Sequence, residues 1–180
     1  MRVLRLVANN RSGAAAAELA MVMPFMLALL FGAVEAGNYF LNEHAVAKQV
    51  RDGARFAARL PLVETYSCPS GEASGSVIDA VAEQRIINVT TTGSTSGTAA
   101  GRLGDSVWSE PCGTAPSAVS VSVRCLPLDD YPGIYRGLES DIPVVKVAAD
   151  VEYPSVLATL GFDTSGVCLR AESEVPVAGL

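Results

Sequence analysis

Leu19 to Val34 is an unbroken run of sixteen uncharged residues, and the four alanines before Glu18 extend the apolar stretch to twenty-one positions interrupted by one acid. A membrane-crossing helix needs roughly 20 predominantly apolar residues, so the stretch is long enough to span when Ala14 to Ala17 join it. Beyond it the pattern changes. Val46, Val50, Gly53, Ala54, Ala57 and Leu60 recur at spacings of three and four, which is one face of an amphipathic helix. Lys48, Arg51, Asp52, Arg55 and Arg59 fall mostly off that face. With no proline between Pro24 and Pro61, the spacing predicts one helix over 14–60, about 70 Å long at 1.5 Å per residue. Pro24 removes the hydrogen bond to Ala20 and predicts a kink, and Gly32, Gly37 and Gly53 are further soft spots. The second half has too few large side chains for a free coiled-coil stalk. It reads instead as a helix laid under a sheet.

Residues 61–180 are enough for one modest core. Pro61 closes the helix, and Val77 to Val89 reads as a short helix from the spacing of Val77, Ile78, Val81, Ala82, Arg85 and Ile86. Thr90 to Gly104 is dense in Gly, Thr and Ser and reads as a surface loop. Ala118 to Cys125 alternates valine and serine, a period of two that buries one face and wets the other. Val144 to Tyr153 and Val167 to Val177 are the next strands, with one or two helical turns predicted around Val156, Leu157 and Leu160 between them. The expected class is α+β: a long N-terminal transmembrane and amphipathic helix, then an antiparallel sheet domain packed on it.

Charge gives the chain a direction. Residues 1–13 carry Arg2, Arg5 and Arg11 and no acid; residues 14–60 balance four bases against four acids; residues 61–180 hold six bases and fifteen acids, a net of −9. Basic residues before an apolar span and an acidic body after it place the N-terminus in the cytoplasm and residues from about 36 onward across the membrane. Hydrophobic residues make up 49% and charged residues 18%, with mean hydropathy +0.32, which excludes wholesale disorder. An acidic body lacks the clustered cations that phosphate contacts require, so nucleic acid is excluded as a partner.

All four cysteines, Cys68, Cys112, Cys125 and Cys168, lie beyond the apolar segment, and an even count in an extracytoplasmic domain favours disulfides. Their spacing contains no C-x-x-C pair, against a zinc site. Three connectivities are open. The preference is Cys68 with Cys112, both in loop-like sequence, and Cys125 with Cys168, both in strand-like sequence. Enzymatic chemistry finds no foothold: the sole histidine, His44, lies beside Glu43 on the helical spine, and no metalloprotease, phosphate-loop or nucleophile-elbow motif is present. Asp129 and Asp130 read as solvent-facing turn residues, since calcium needs several more oxygen ligands. Asn88-Val89-Thr90 satisfies a glycosylation sequon, to which no weight is given as a modification site. No catalytic residue, cofactor or metal is expected.

Glu18 is the most informative residue. A carboxylate at the centre of a membrane segment costs about 2.5–3.5 kcal/mol on insertion scales, less near an interface, and such acids are functional by default. It follows the basic, small-residue stretch Arg11-Ser12-Gly13. Cleavage after Gly13 leaves a new amino group on Ala14 and makes Glu18 the fifth residue of the product, one helical turn away. A free amine at a helix N-terminus needs a carboxylate in lipid, and between two chains offset by about one turn the pair sets a register for stacking helices.

The run Arg11-Ser12-Gly13-Ala14-Ala15-Ala16-Ala17-Glu18-Leu19-Ala20-Met21-Val22-Met23-Pro24-Phe25 resembles the N-terminus of TadE-like pseudopilins, minor pilin-like proteins of the bacterial tight-adherence (Flp, type IVb) pilus system. The resemblance continues in Phe31-Gly32-Ala33-Val34-Glu35-Ala36-Gly37-Asn38. It covers the first 60 residues and the remainder only in general layout. It implies cleavage by a prepilin peptidase after Gly13, a role for Glu18 in processing or assembly, and a family proline at Pro24. Leu19 departs from the tyrosine usual after the glutamate in major pilins, and the chain is much longer than those, both of which favour a minor, TadE-like subunit with a priming, capping or accessory role. The implied partners are the peptidase, other pilin or pseudopilin subunits, the inner-membrane assembly platform and the lipid bilayer. The implied organisation is a cleaved leader over 1–13, a membrane half of the helix over 14–35, an amphipathic half over 36–60 and a disulfide-bonded extracytoplasmic domain over 61–180. Two rivals share the sequence: a secreted periplasmic binding module cut near Ala36, and a single-pass anchored sensor or scaffold that keeps residues 1–13.

Overall fold

The computed structural model describes residues 12–68, 77–101, 103–128, 133, 135, 140–164 and 166–178. Asp129 and Asp130 lie outside them. The spine is helix α1, Ser12–Ala57, 46 residues long. It runs through Pro24, which forfeits one backbone hydrogen bond among strong helix formers on both sides. The helix ends by tightening: Ala58 N–H still bonds Ala54 O at 2.9 Å, whereas Arg59 and Leu60 bond Phe56 O and Ala57 O, only three residues back, at 3.1 and 3.2 Å. Pro61, with no N–H, follows. The short helix α2 (Leu62–Thr65) then leads to strand β1 (Tyr66–Ser67).

Strand β1 pairs antiparallel with β2 (Val77–Ile78), Tyr66 opposite Ile78. The helix predicted from Val77 therefore starts later: α3 spans Ala80–Thr92. Asp79 decides the boundary, because its carboxylate accepts from Ala82 N–H at 2.9 Å as an N-cap and satisfies a donor the helix cannot. At the other end α3 takes Thr90, Thr91 and Thr92 from the predicted loop. Their hydroxyls donate back to the carbonyls of Ile86, Ile87 and Asn88, and Gly93 terminates the helix at φ 75°, a left-handed conformation that glycine adopts at no steric cost. Helix α4 (Asp105–Ser109) follows.

The main sheet has the order β3–β4–β5, antiparallel throughout, from β3 (Val119–Leu126), β4 (Ile142–Glu152) and β5 (Cys168–Pro176). The three strands fall within two residues of the predicted ranges, and the predicted helical turns are a 3₁₀ turn at Leu157–Leu160. Val121, Val147 and Ser173 align across the sheet, as do Val123, Val145 and Val175. This inner face joins Val46, Val50, Ala54, Ala57 and Ile86 in one core. The opposite face carries exposed ion pairs between strands: Arg124–Glu174 at 3.1 Å, Lys146–Glu172 at 2.6 Å and Arg170–Asp150 at 2.9 Å.

Helix α1 rests on β4 and β5, while α3 packs along α1 and reaches β3. Val46, Val50, Ala54 and Ala57 are fully buried, so the small-residue stripe is a core face, as the spacing predicts. Gly53 permits the helices to close up. A Cβ built there would stand 2.0 Å from Thr90 Oγ1 and 3.1 Å from Thr90 Cβ. The architecture is α+β, a long helix followed by small antiparallel sheets.

Candidate functional site

The N-terminal half of α1 stands clear of the domain. Every side chain described from Gly13 to Val34 is exposed, including Met21 and Phe25 at 74% and Leu29 at 75%. Unburied Leu, Met and Phe over this length need an apolar surround outside the chain. Among the described residues α1 is the one helix long and apolar enough to cross a membrane.

Each sequence-predicted residue has its place on this rod. The Gly13–Ala14 bond lies in the first turn of α1, where helices fray, and a Cβ at Gly13 would meet nothing within 4 Å. Glu18 is exposed one turn farther along, and no hydrogen bond or ion pair engages it among the described residues. Pro24 lies on the same exposed half. His44 is exposed on the spine, with Glu43 half-buried beside it.

The rod and the domain are joined at a junction of polar contacts. Glu35, the first charge after the apolar run, accepts from Leu157 N–H through Oε2 at 3.2 Å, and its backbone carbonyl accepts from the Tyr153 hydroxyl at 3.1 Å. Asn38 Nδ2 donates to the Tyr153 hydroxyl at 2.9 Å and to Pro154 O at 3.2 Å, and the Tyr39 hydroxyl donates to Cys168 O at 3.4 Å. The Tyr39 and Tyr153 rings meet edge to face at 5.2 Å. Burial pushes the Tyr153 phenol up, so it keeps the proton it donates. Sequence reasoning places Glu35 in the helix but misses this role. The signals were a charge directly after the apolar run and a nearly uncharged segment after β4, with no spacing rule to connect them.

The cysteines form two disulfides, Cys68–Cys125 and Cys112–Cys168, each with Cα atoms 5.7 Å apart. This corrects the preferred pairing. Loop-like and strand-like character does not choose partners; position in the sheet does. Cys125, next to last in β3, fastens the chain after β1, whereas Cys168 starts β5 and meets Cys112, whose N–H bonds Asp150 O on β4 at 3.1 Å. Cys112, Cys168 and Asp150 come together as a group that could resemble a metal site, but a metal ligand must be a thiolate and these sulfurs are bonded to each other.

Residues 13–55 match the family model described as TadE-like protein. The helical spine of this chain is TadE-like. That family is associated with the tight-adherence pilus, and the likeness of this chain to it is confined to the helix. The TadE-like match stops two residues short of the end of α1 and leaves 61–180 outside it. No curated protein and no solved structure matches the chain.

Proposed function

We propose that this chain is a minor pilin-like subunit of a tight-adherence pilus, acting in priming, tip structure or assembly. Residues 1–13 are a basic leader, 14–35 cross the inner membrane with the N-terminus cytoplasmic, and 36–180 form the extracytoplasmic part. A prepilin peptidase hydrolyses the Gly13–Ala14 bond on the cytoplasmic side. The exposed Glu18, engaged by no partner among the described residues and set on an apolar helix within the TadE-like match, carries this reading.

Hydrolysis creates an ammonium on Ala14 at the positive end of a helix dipole, and a carboxylate is the group that neutralises it. Ala14 and Glu18 are four residues apart, about 6 Å along the axis. A neighbouring helix shifted by that step brings its Glu18 level with this amine, so the ion pair forms between subunits and fixes their stagger. Within the bilayer each unpaired charge is costly, and pairing favours leaving the dispersed state for the assembly platform.

Mass spectrometry of native protein tests the reading directly. Ala14 at the N-terminus, with or without a methyl group, supports it; Gly37 points to a secreted module and Met1 to a plain anchor. In a second test, Glu18→Ala is expected to remain membrane-inserted while piliation falls at least about tenfold, the loss of roughly 1.4 kcal/mol or more of pairing energy. Normal piliation by this variant would overturn the proposed pairing.

A further inference from the structure

The segment between β4 and β5, Pro154 to Val167, has one charged residue in fourteen, Asp163. It exposes four large apolar side chains: Val156, Leu160 and Phe162 at 42%, 59% and 61%, and Val167, at its end, at 41%. Its height along α1 is set by the junction, through Leu157 N–H on Glu35 and Pro154 O on Asn38. Below those bonds, Leu157, Thr164 and Val167 share an open cleft of about 330 Å³ with Gly32, Ala36 and Tyr39 of the helix. Gly32 belongs to the uncharged run itself.

The arithmetic of the rod then locates the segment. Glu35 is twenty-one residues beyond Ala14, about 32 Å at 1.5 Å per residue, and the hydrocarbon core of a bilayer is about 30 Å thick. A segment fastened at Glu35 and reaching back to Gly32 stands where the spanning helix leaves the hydrocarbon.

We infer that the Val156–Phe162 segment is a second membrane contact: Val156, Leu160 and Phe162 insert into the outer-leaflet interface of the bilayer that α1 crosses, with Glu35 and Asn38 as positioning residues. The inference rests on the membrane-spanning part of the proposed function. The bilayer is the occupant because the apolar surface is continuous with the spanning helix and level with its exit. Three side chains are also far short of the roughly 1,200 Å² that a stable protein interface buries, whereas interfacial binding strengthens with each apolar group inserted. A single helix leaves the domain free to swing about its exit point; a second contact beside it fixes the domain's rotation against the membrane.

Depth-dependent quenching tests this in the full chain. Trp108 is the sole tryptophan, so Phe162→Trp in a Trp108→Phe background gives one fluorophore, and Phe31→Trp in that background reports on the span. Each variant is reconstituted in phosphatidylcholine vesicles brominated at shallow or at deep acyl positions. Shallow bromines are expected to lower the Phe162→Trp emission about twofold and deep bromines less. The foot is overturned if Phe162→Trp is unquenched while Phe31→Trp is quenched. If neither is quenched, the spanning helix itself fails. A blue-shifted, unquenched Phe162→Trp emission that is lost on dilution in lipid assigns the surface to a second copy of the chain and also overturns the foot. Should Trp108→Phe impair folding, the same substitutions with Trp108 retained are read against the unsubstituted protein.

Discussion

Tyr66 closes the seam between the end of α1 and the first strand: its hydroxyl donates to Ala57 O at 2.7 Å and its ring is buried. Burial pushes the phenol well above its ordinary value of 10.0, so the folded state holds this proton more tightly than the unfolded chain does. The resulting stability is complete below pH about 10 and declines as pH rises beyond it. Tyr66→Phe is expected to cost about 0.5–1.5 kcal/mol at neutral pH, by removing one of the two hydrogen bonds to the Ala57 carbonyl while Leu60 N–H keeps the other, and to show a shallower alkaline decline in denaturant unfolding. Parallel declines would show that this phenol does not set the alkaline limit. Gly53 gives a second test, because alanine in place of a helical glycine ordinarily stabilises by about 1 kcal/mol. Here the added methyl runs into Thr90, so Gly53→Ala is expected to destabilise by about 1–3 kcal/mol in a thermal melt. Adding Thr90→Ala should recover part of the loss in a double-mutant cycle; a stabilised Gly53→Ala would mean that the helices are not in contact there.

Elements were legible in the sequence where burial has a simple period. Val119, Val121 and Val123 point inward and Ser120 and Ser122 outward, as alternation requires, and Val46, Val50, Ala54 and Ala57 lie on the buried face of α1. Val77 and Ile78 misled because two apolar residues at helical spacing from Val81 fit a helix equally well. The Asp79 cap carried the information that the spacing lacked. A pair of two-residue strands has no period to detect at all. The junction was hidden for another reason: Glu35 and Leu157 are separated by 122 residues, and no local pattern announces a contact at that range. Its strength is measurable. Hydrogen bonds to charged groups contribute about 1.5–3 kcal/mol, so Glu35→Ala is expected to speed exchange of the Leu157 amide by about 10- to 100-fold if the 3₁₀ turn opens locally. Unchanged exchange would mean that the turn holds its place without the carboxylate.

For the whole molecule, the order of helix and sheet followed from pattern and charge, whereas the covalent connectivity did not, because three pairings satisfy the same spacing and only the assembled sheet selects one. Peptide mapping without reduction is expected to recover Cys68 linked to Cys125 and Cys112 linked to Cys168. Replacing Cys112 and Cys168 together by serine should cost about 2–4 kcal/mol in unfolding free energy, since that bridge closes a sequence separation of 56. The C-terminal end is also held, with Ala178 N–H on Ala58 O at 3.0 Å, so the last described residues return to the end of the spine. The two bridges interleave along the chain, Cys112 lying inside the first loop and Cys168 beyond it. One proteolytic nick anywhere between Cys68 and Cys168 therefore leaves a single covalent piece, so in surroundings rich in secreted proteases one severed loop of the head sheds no fragment unless a bridge is also reduced.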